Sequence, residues 1–229
     1  MGRILRPAGG FAGALTAAFA LACGTAADAH PHVWATVVTE VLYDGDHRVS
    51  GLRHHWTFDE YYSAFAVQGL DANGDGTYDK TELEPLAQEN VNSLKEYDYF
   101  TFVTVDDREA ALLEPRDYAL DYQNGQLTLH FTLPLETAVD GRLGVVSFAV
   151  YDPSYYVAFD YAKAGPVRLA DGAPKACGAR FAAERGDAQG NADVKALGEA
   201  FFDTLGANAD FGVQFAQTVR IDCRDDGGG

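Results

Sequence analysis

Twelve consecutive residues, 71–82, place the strongest constraint on how this chain folds. Their order, DANGDGTYDKTE, puts oxygen-bearing side chains at alternate positions and a glycine at the sixth. This pattern is typical of an EF-hand calcium loop, in which the chain wraps around one hard cation that prefers oxygen ligands. The chain turns sharply at the sixth position, where glycine is favoured because it has no Cβ. Because such a loop needs a helix on either side, the pattern predicts local structure as well as chemistry.

The predicted calcium ligands follow the positions of that pattern. Positions one, three and five give side-chain oxygens, position seven its backbone carbonyl, position nine acts through water, and position twelve gives both carboxylate oxygens. In this sequence they are Asp71, Asn73, Asp75, Thr77, Asp79 and Glu82. A single loop in a calcium-rich compartment favours a structural ion, although a regulatory one stays open. The alternative interpretation is an acidic surface turn that binds no ion.

Alternating apolar and polar residues outside this segment predict a β-rich body. Asn124-Gly125, between two alternating runs, predicts a tight hairpin turn. Predicted strands cover residues 33–42, 49–58, 99–105, 118–122, 126–133, 144–151 and 155–161; predicted helices cover 59–67, 81–96 and 192–205; and 211–220 is a strand or a helix. The predicted fold class is α+β, a β-rich sandwich or barrel-like body with a helix-loop-helix EF-hand insertion at about 59–96.

The first 29 residues predict a signal peptide. A positively charged start precedes a short apolar run, and small residues at Ala27 and Ala29 suit signal peptidase. Cleavage after Ala29 would leave residues 30–229 as a single β-rich domain in the periplasm, without membrane insertion. Cys23 follows a loose lipoprotein-type sequence, so lipidation at that residue stays open.

Cysteine usage agrees with export. Cys177 and Cys223 form an even pair after the predicted cleavage, and thiols oxidise outside the cytoplasm, so we expect a disulfide between them. Free thiols as metal ligands are the alternative, but the two residues lack the close spacing of most metal sites.

The charge balance excludes some classes of partner. Acidic residues number 34 against 17 basic ones, for a formal net charge of −17. Such a surface repels nucleic acid and concentrates cations near the protein. The sequence has neither a G-x-S-x-G nor a phosphate-binding glycine loop. We therefore expect a binding protein and no enzymatic activity.

Histidines supply candidate transition-metal ligands. The six are His30, His32, His47, His54, His55 and His130. Cleavage after Ala29 would make His30 the first residue, so its amine and ring, with His32, form a candidate site for Zn²⁺ or Ni²⁺. His54 and His55 lie on one predicted strand and must face opposite sides of the sheet. Pairing of the first two strands could bring His32 near one of them. Packed or surface histidines without metal remain the alternative.

Several short motifs together resemble a family of exported bacterial proteins, domain of unknown function 1007. They are HPHVW at 30–34, WTFDE at 56–60, YFT at 99–101, YDPSYY at 151–156 and Cys223 near the end of the sequence. The similarity runs through nearly the whole mature chain. The resemblance implies a periplasmic component of a transport system linked to nickel, cobalt or zinc permeases, and His30 and His32 match its opening motif.

The resulting expectation is a periplasmic metal-binding accessory protein of a divalent transition-metal transport system, with a membrane permease as partner and Ca²⁺ in the loop. Two alternatives stay open. One is a calcium-stabilised envelope interaction protein without a transition-metal site, and the other is an enzyme with a metal site built on His30.

Overall fold

A computed structural model describes residues 31–182 and 211–223. The predicted signal peptide, His30 and the predicted helix at 192–205 lie outside these residues. Within the described part of the chain, no helix is both long and apolar enough to cross a membrane.

Two long alternating segments form the centre of the fold. β1 (Val33–Tyr43) and β2 (Val49–Phe58) pair antiparallel, and in both strands buried residues alternate with more exposed ones. This is the pattern of strands that place one face on a core. Asp44 organises the turn between them, because its carboxylate accepts hydrogen bonds from the N–H groups of Asp46 and Arg48.

The remaining strands follow in chain order. They are β3 (Thr101–Val105), β4 (Arg108–Glu109), β5 (Arg116–Gln123), β6 (Gln126–Val139), β7 (Val146–Val150), β8 (Val157–Tyr161), β9 (Val167–Leu169), β10 (Gly178–Phe181) and β11 (Thr218–Asp222). The larger sheet has the order β5–β6–β2–β1–β8, and β9 also pairs with β1. The smaller sheet has the order β10–β11–β7–β3–β4. Only β8 and β9 run parallel to their neighbour among the described pairs.

Residues from the two sheets share a core, which confirms the β-rich, sandwich-like part of the predicted fold. Val41 and Leu52 of the larger sheet cluster with Phe148, Val219 and Ile221 of the smaller one, all of them buried. A second cluster lies beneath the larger sheet and includes the buried aromatic residues Trp56 and Phe131. Their ring centroids are 4.7 Å apart in an edge-to-face arrangement.

Two helices lie between β2 and β3. α1 (Glu60–Ala66) begins after Asp59, whose side chain accepts hydrogen bonds from backbone N–H groups of the first turn. α2 (Lys80–Leu94) begins after Asp79 with a reciprocal capping box. Its buried residues Leu83, Ala87 and Val91 recur at helical spacing and turn one face toward the core. A short 3₁₀ segment, Lys95–Phe100, then leads into β3.

The hairpin at Asn124-Gly125 is confirmed. Both residues have positive φ, 53° and 81°, as a tight turn between β5 and β6 requires. β6 continues to Val139, beyond the predicted end at 133. Strands β9 and β10 were not predicted, because three or four residues are too few to show an alternating pattern. The segment at 211–220 combines a 3₁₀ helix, Gly212–Phe215, with the start of β11.

The predicted disulfide is also present. The sulfur atoms of Cys177 and Cys223 are 2.02 Å apart across a sequence separation of 46. The bond ties the end of β11 to the segment before β10. Such a pair is consistent with an oxidising compartment.

Candidate functional site

The loop at 71–82 folds around the carboxylate of Asp71. One oxygen, Oδ1, accepts hydrogen bonds from the N–H groups of Gly74 at 2.7 Å and Asp75 at 3.1 Å, and Oδ2 accepts one from Gly76 at 3.0 Å. Gly74 and Gly76 have φ values of 74° and 78°, in the left-handed region that glycine adopts without strain. The chain therefore turns sharply at the sixth position, as the sequence pattern predicts.

The middle of the loop is held by Asp75. Its Oδ1 accepts hydrogen bonds from the hydroxyl of Thr77 at 2.6 Å and from the Thr77 N–H at 2.8 Å. Both bonds lower the pKa of the Asp75 carboxyl below its usual value, and the bond from the hydroxyl has the larger effect. They therefore favour the ionised form. The amide of Asn73 donates to the other Asp75 oxygen at 3.0 Å.

Glu82 joins the two ends of the loop. Its Oε1 accepts hydrogen bonds from the N–H groups of Ala72 at 2.9 Å and Asn73 at 3.3 Å, while Oε2 accepts one from the Asp79 N–H at 3.1 Å. Asp79 in turn caps α2 through the N–H groups of Thr81 and Glu82. The last predicted ligand is therefore positioned by the first turn of α2.

The apolar side of the loop contacts the sheet. Tyr78 is partly buried against the core, and its ring centroid lies 4.9 Å from that of Tyr122 on β5. The residue at the eighth position of the loop therefore packs against the larger sheet. On the other side of the loop, α1 ends at Ala66, well before Asp71, and turn residues occupy the interval.

The loop fits a hard cation by ligand type and order. Within residues 31–182 and 211–223, no group of three or more His, Cys, Asp or Glu side chains is arranged to hold a metal ion. In the loop the carboxylate oxygens instead accept hydrogen bonds from loop amides. Asp71 Oδ1 and Glu82 Oε1 each accept two such bonds, whereas Asp71 Oδ2 and Glu82 Oε2 each accept one and so keep a lone pair for an ion. Oxygen ligands of this kind suit Ca²⁺.

The structure does not bring His32 close to His54 or His55. The register of β1 with β2 pairs Ala35 with Phe58, and Thr39 and Val38 lie opposite the two histidines. His32 lies beyond the end of β2, where its ring contacts Tyr156 at a centroid distance of 4.6 Å. The expectation that strand pairing joins these histidines is wrong. In the observed register, Ala35 already pairs with Phe58, the last residue of β2, so His32 has no partner position on that strand.

His54 and His55 face opposite sides of the sheet, as predicted, and His54 is fully buried. The Thr101 hydroxyl donates to the Tyr99 carbonyl, so it accepts from His54 Nε2–H at 3.4 Å. The Thr39 hydroxyl then donates to Nδ1 at 2.9 Å. Burial lowers the pKa of His54 to about 3, which keeps this imidazole neutral. His54 is therefore a core residue whose hydrogen bonds are satisfied.

Sequence reasoning missed a cluster on the outer face of the larger sheet. His55 lies directly opposite His130 across the β2–β6 pairing, with 2.5 Å between their Nδ1 atoms. Asp121 Oδ2 is 3.0 Å from His130 Nε2. The only signal in the sequence was two histidines on strands of matching alternation. Their register could not be read from the sequence.

The motif segments meet where β1 begins. The N–H groups of His32 and Val33 both donate to the Tyr156 carbonyl, at 2.9 and 3.3 Å. The Tyr151 N–H donates a hydrogen bond to the Phe100 carbonyl at 3.0 Å. Segments distant in sequence therefore form one end of the fold.

Asp152 holds the segment at 151–156 in place. Its side chain is buried, with Oδ1 accepting hydrogen bonds from the Ser154 N–H and hydroxyl, both at 2.8 Å. Oδ2 accepts a bond from the Val157 N–H at 2.9 Å, where β8 begins. The acidic residue of this motif is thus a structural turn former within the described structure.

Comparison with known proteins finds a matching family and similar proteins. The family described as "Protein of unknown function (DUF1007)" matches residues 15–223. An uncharacterised protein of Haemophilus influenzae is 26% identical over 199 residues, covering 85% of this chain and 91% of the relative. An uncharacterised 15.5 kDa protein in the trpE 3' region of Spirochaeta aurantia is 29% identical over 103 residues, covering 45% of this chain and 73% of the relative. The family match covers the motifs that meet at the start of β1 as well as the loop at 71–82, and the chain belongs to the DUF1007 family.

Proposed function

We propose that this protein is an exported, calcium-binding accessory protein of a divalent transition-metal transport system, for zinc, nickel or cobalt. The observation that carries the calcium part of the proposal is the loop at 71–82. There a carboxylate at the first position receives the amides of the turn, and a carboxylate at the last position joins both loop ends. The order of oxygen-bearing residues in this loop is the one that an EF-hand uses for Ca²⁺, and this order supports the proposal.

The residues that would hold Ca²⁺ are those given by the loop pattern. They are Asp71, Asn73, Asp75, the Thr77 carbonyl, Asp79 through water, and Glu82. A bound Ca²⁺ would neutralise the concentrated negative charge of this segment. Its expected role is structural, since the loop joins two helices and α2 packs its buried face on the core.

The transition-metal role rests on chemistry and on family resemblance. The net charge of −17 raises the local concentration of cations. The disulfide supports an oxidising compartment, consistent with the periplasm. His30 and His32 belong to the opening motif and supply imidazole nitrogens for Zn²⁺ or Ni²⁺. The proposed partner is a membrane permease that receives or delivers the metal.

Calorimetry on protein produced with its native N-terminus tests the calcium part. Wild type should bind one Ca²⁺, and Asp71→Asn and Glu82→Gln should each weaken binding by at least about tenfold, since each removes a charged ligand. Glu89→Gln is the matched control, because it removes one charge from an exposed position on the same helix. Equal Ca²⁺ affinity in all four proteins, or none in wild type, would overturn this part.

A second candidate function is supported by a specific surface. Tyr61 and Phe65, one turn apart on α1, are 92% and 73% exposed, and Trp34 is 50% exposed. These aromatic residues favour the alternative of a calcium-stabilised protein that docks on an envelope partner. Titration of Ca²⁺-saturated protein with Zn²⁺, Ni²⁺ and Co²⁺ separates the two functions, because only the accessory protein binds a second metal.

A further inference from the structure

We propose that His55 and His130 form a binding site for a borderline divalent metal ion, with Zn²⁺ as the test ion. This site is distinct from the loop at 71–82 and from the N-terminal histidines. The inference deepens the proposed function and rests on it for the biological use of the metal, but the binding itself rests on the geometry of the sheet.

Strand register builds the site. His55 and His130 occupy directly paired positions on β2 and β6. Because His54 points into the core, His55 must point to the opposite face, where both rings are partly exposed. The two Nδ1 atoms face each other at 2.5 Å, and the ring centroids are 4.8 Å apart. Two ring nitrogens that converge on one point from rigid, adjacent strands are preorganised for a shared ligand.

Asp121 orients the second histidine. It lies on β5, two residues from Ala119, the direct partner of His130. Its Oδ2 is 3.0 Å from His130 Nε2, although the contact is not aligned as a full hydrogen bond. A carboxylate can only accept, so it favours the tautomer with hydrogen on Nε2 and a bare lone pair on Nδ1. Carboxylates orient metal-binding histidines in this way in many proteins.

Burial and neighbouring charged groups both act on His55. Burial first, and then the neighbouring His130, lower the pKa of His55 below its usual value. Arg168 and Arg53 act in the same direction, and Glu40 opposes them. Glu40 is itself paired with Arg53, with 2.7 Å between its Oε2 and Arg53 Nη1. A neutral imidazole is the ligand form for Zn²⁺ and similar ions.

Metal binding requires a small opening of the pair and a change of tautomer. With His130 Nδ1 bare, His55 Nδ1–H donates to it, so this hydrogen must leave Nδ1, with His55 protonated at Nε2 instead, before both Nδ1 atoms can bind a metal. Two nitrogens bound to tetrahedral zinc at about 2.0–2.1 Å lie about 3.3 Å apart. The Nδ1 atoms would therefore separate from 2.5 Å by slight rotation of two partly exposed rings. Since the described residues present no third protein ligand there, water or a partner group would complete the coordination. Such an open site suits an ion that is passed on, because a closed four-ligand site would retain it.

The test is a Zn²⁺ titration of Ca²⁺-saturated protein with its native N-terminus, in competition with a chromogenic chelator. The variants are His55→Gln, His130→Gln, Asp121→Asn and His32→Gln. His47→Gln is the matched control, since His47 is an exposed histidine whose ring bonds the Gly172 carbonyl at 2.7 Å. Circular dichroism and Ca²⁺ binding verify that each variant is folded.

We expect His55→Gln and His130→Gln each to lose one Zn²⁺ equivalent, or at least tenfold in affinity. Asp121→Asn should weaken Zn²⁺ binding about tenfold, the usual effect of losing an orienting partner, and His47→Gln should not change it. If His32→Gln loses Zn²⁺ while the His55 and His130 variants keep it, the inference fails and the proposed function stands. If wild type binds no Zn²⁺, the inference fails, and the proposed function fails with it only if Ni²⁺ and Co²⁺ do not bind either.

Discussion

Asp59 and Trp34 are joined by two hydrogen bonds. The Asp59 N–H donates to the Trp34 carbonyl at 2.9 Å, and the Trp34 N–H donates to Asp59 Oδ2 at 3.0 Å. The other Asp59 oxygen accepts hydrogen bonds from the N–H groups of Tyr61 and Tyr62, both at 2.9 Å. One carboxylate therefore caps α1 and fixes the start of β1 in the central sheet.

Replacing Asp59 should lower stability because it removes the helix cap and leaves the Trp34 N–H without this acceptor. We expect Asp59→Ala to cost about 1–3 kcal/mol of unfolding free energy. Urea denaturation with Glu60→Gln as control measures this, since Glu60 is exposed in the same first turn. Equal losses in the two variants would show that the Asp59 bonds do not stabilise the fold.

Protein stability should fall as pH drops below about 6.5 because of His54. Its folded-state pKa is lowered to about 3 by burial, whereas the unfolded chain protonates near 6.5. The unfolded state therefore binds more protons between these values, and unfolding becomes easier as pH falls through that window. From pH 7 to 5 the loss is about 2 kcal/mol.

Denaturation of wild type and His54→Asn at pH 5, 6 and 7 checks this prediction. The variant should be less stable at pH 7 but should lose the His54 part of the slope. His47→Gln, at an exposed position, is the control histidine variant and should keep the His54 part of the slope. A variant slope identical to that of wild type would assign the pH dependence to other groups.

Gly51 allows β2 and β6 to approach closely. A Cβ added there would lie 2.6 Å from the Leu133 carbonyl oxygen, a backbone atom that can move only with its strand. We expect Gly51→Ala to destabilise the protein by about 1–3 kcal/mol. Gly45→Ala is the matched control, since its added Cβ meets nothing within 4 Å. Thermal and urea unfolding of both variants should therefore differ clearly.

The Cys177–Cys223 disulfide should contribute substantially to stability. Closing a loop across a separation of 46 residues corresponds to about 3–4 kcal/mol in the chain-entropy model. The double variant with serine at both positions should unfold at lower urea concentration by that amount. Thiol titration of unfolded, unreduced wild type should detect no reactive pair, and two free thiols would contradict the bond in solution.

Much of the local structure was predictable because its causes lie close together in the sequence. Strand alternation located β1 and β2, Asn124-Gly125 located a hairpin, and Gly76 located the sharp turn of the loop. Helix caps were similarly local, since a capping residue bonds N–H groups two or three positions away. Short strands such as β9 escaped prediction because they exist only through pairing with β1.

The sequence by itself determined the alternation that makes His54 and His55 face opposite ways, and the ligand order of the loop at 71–82. Only the tertiary structure decided which face is the core, that His32 meets Tyr156, and that His55 meets His130 across 75 positions. The physical reason is register. Side-chain direction along one strand has a period of two, but the partner across the sheet depends on how distant strands align over a common core.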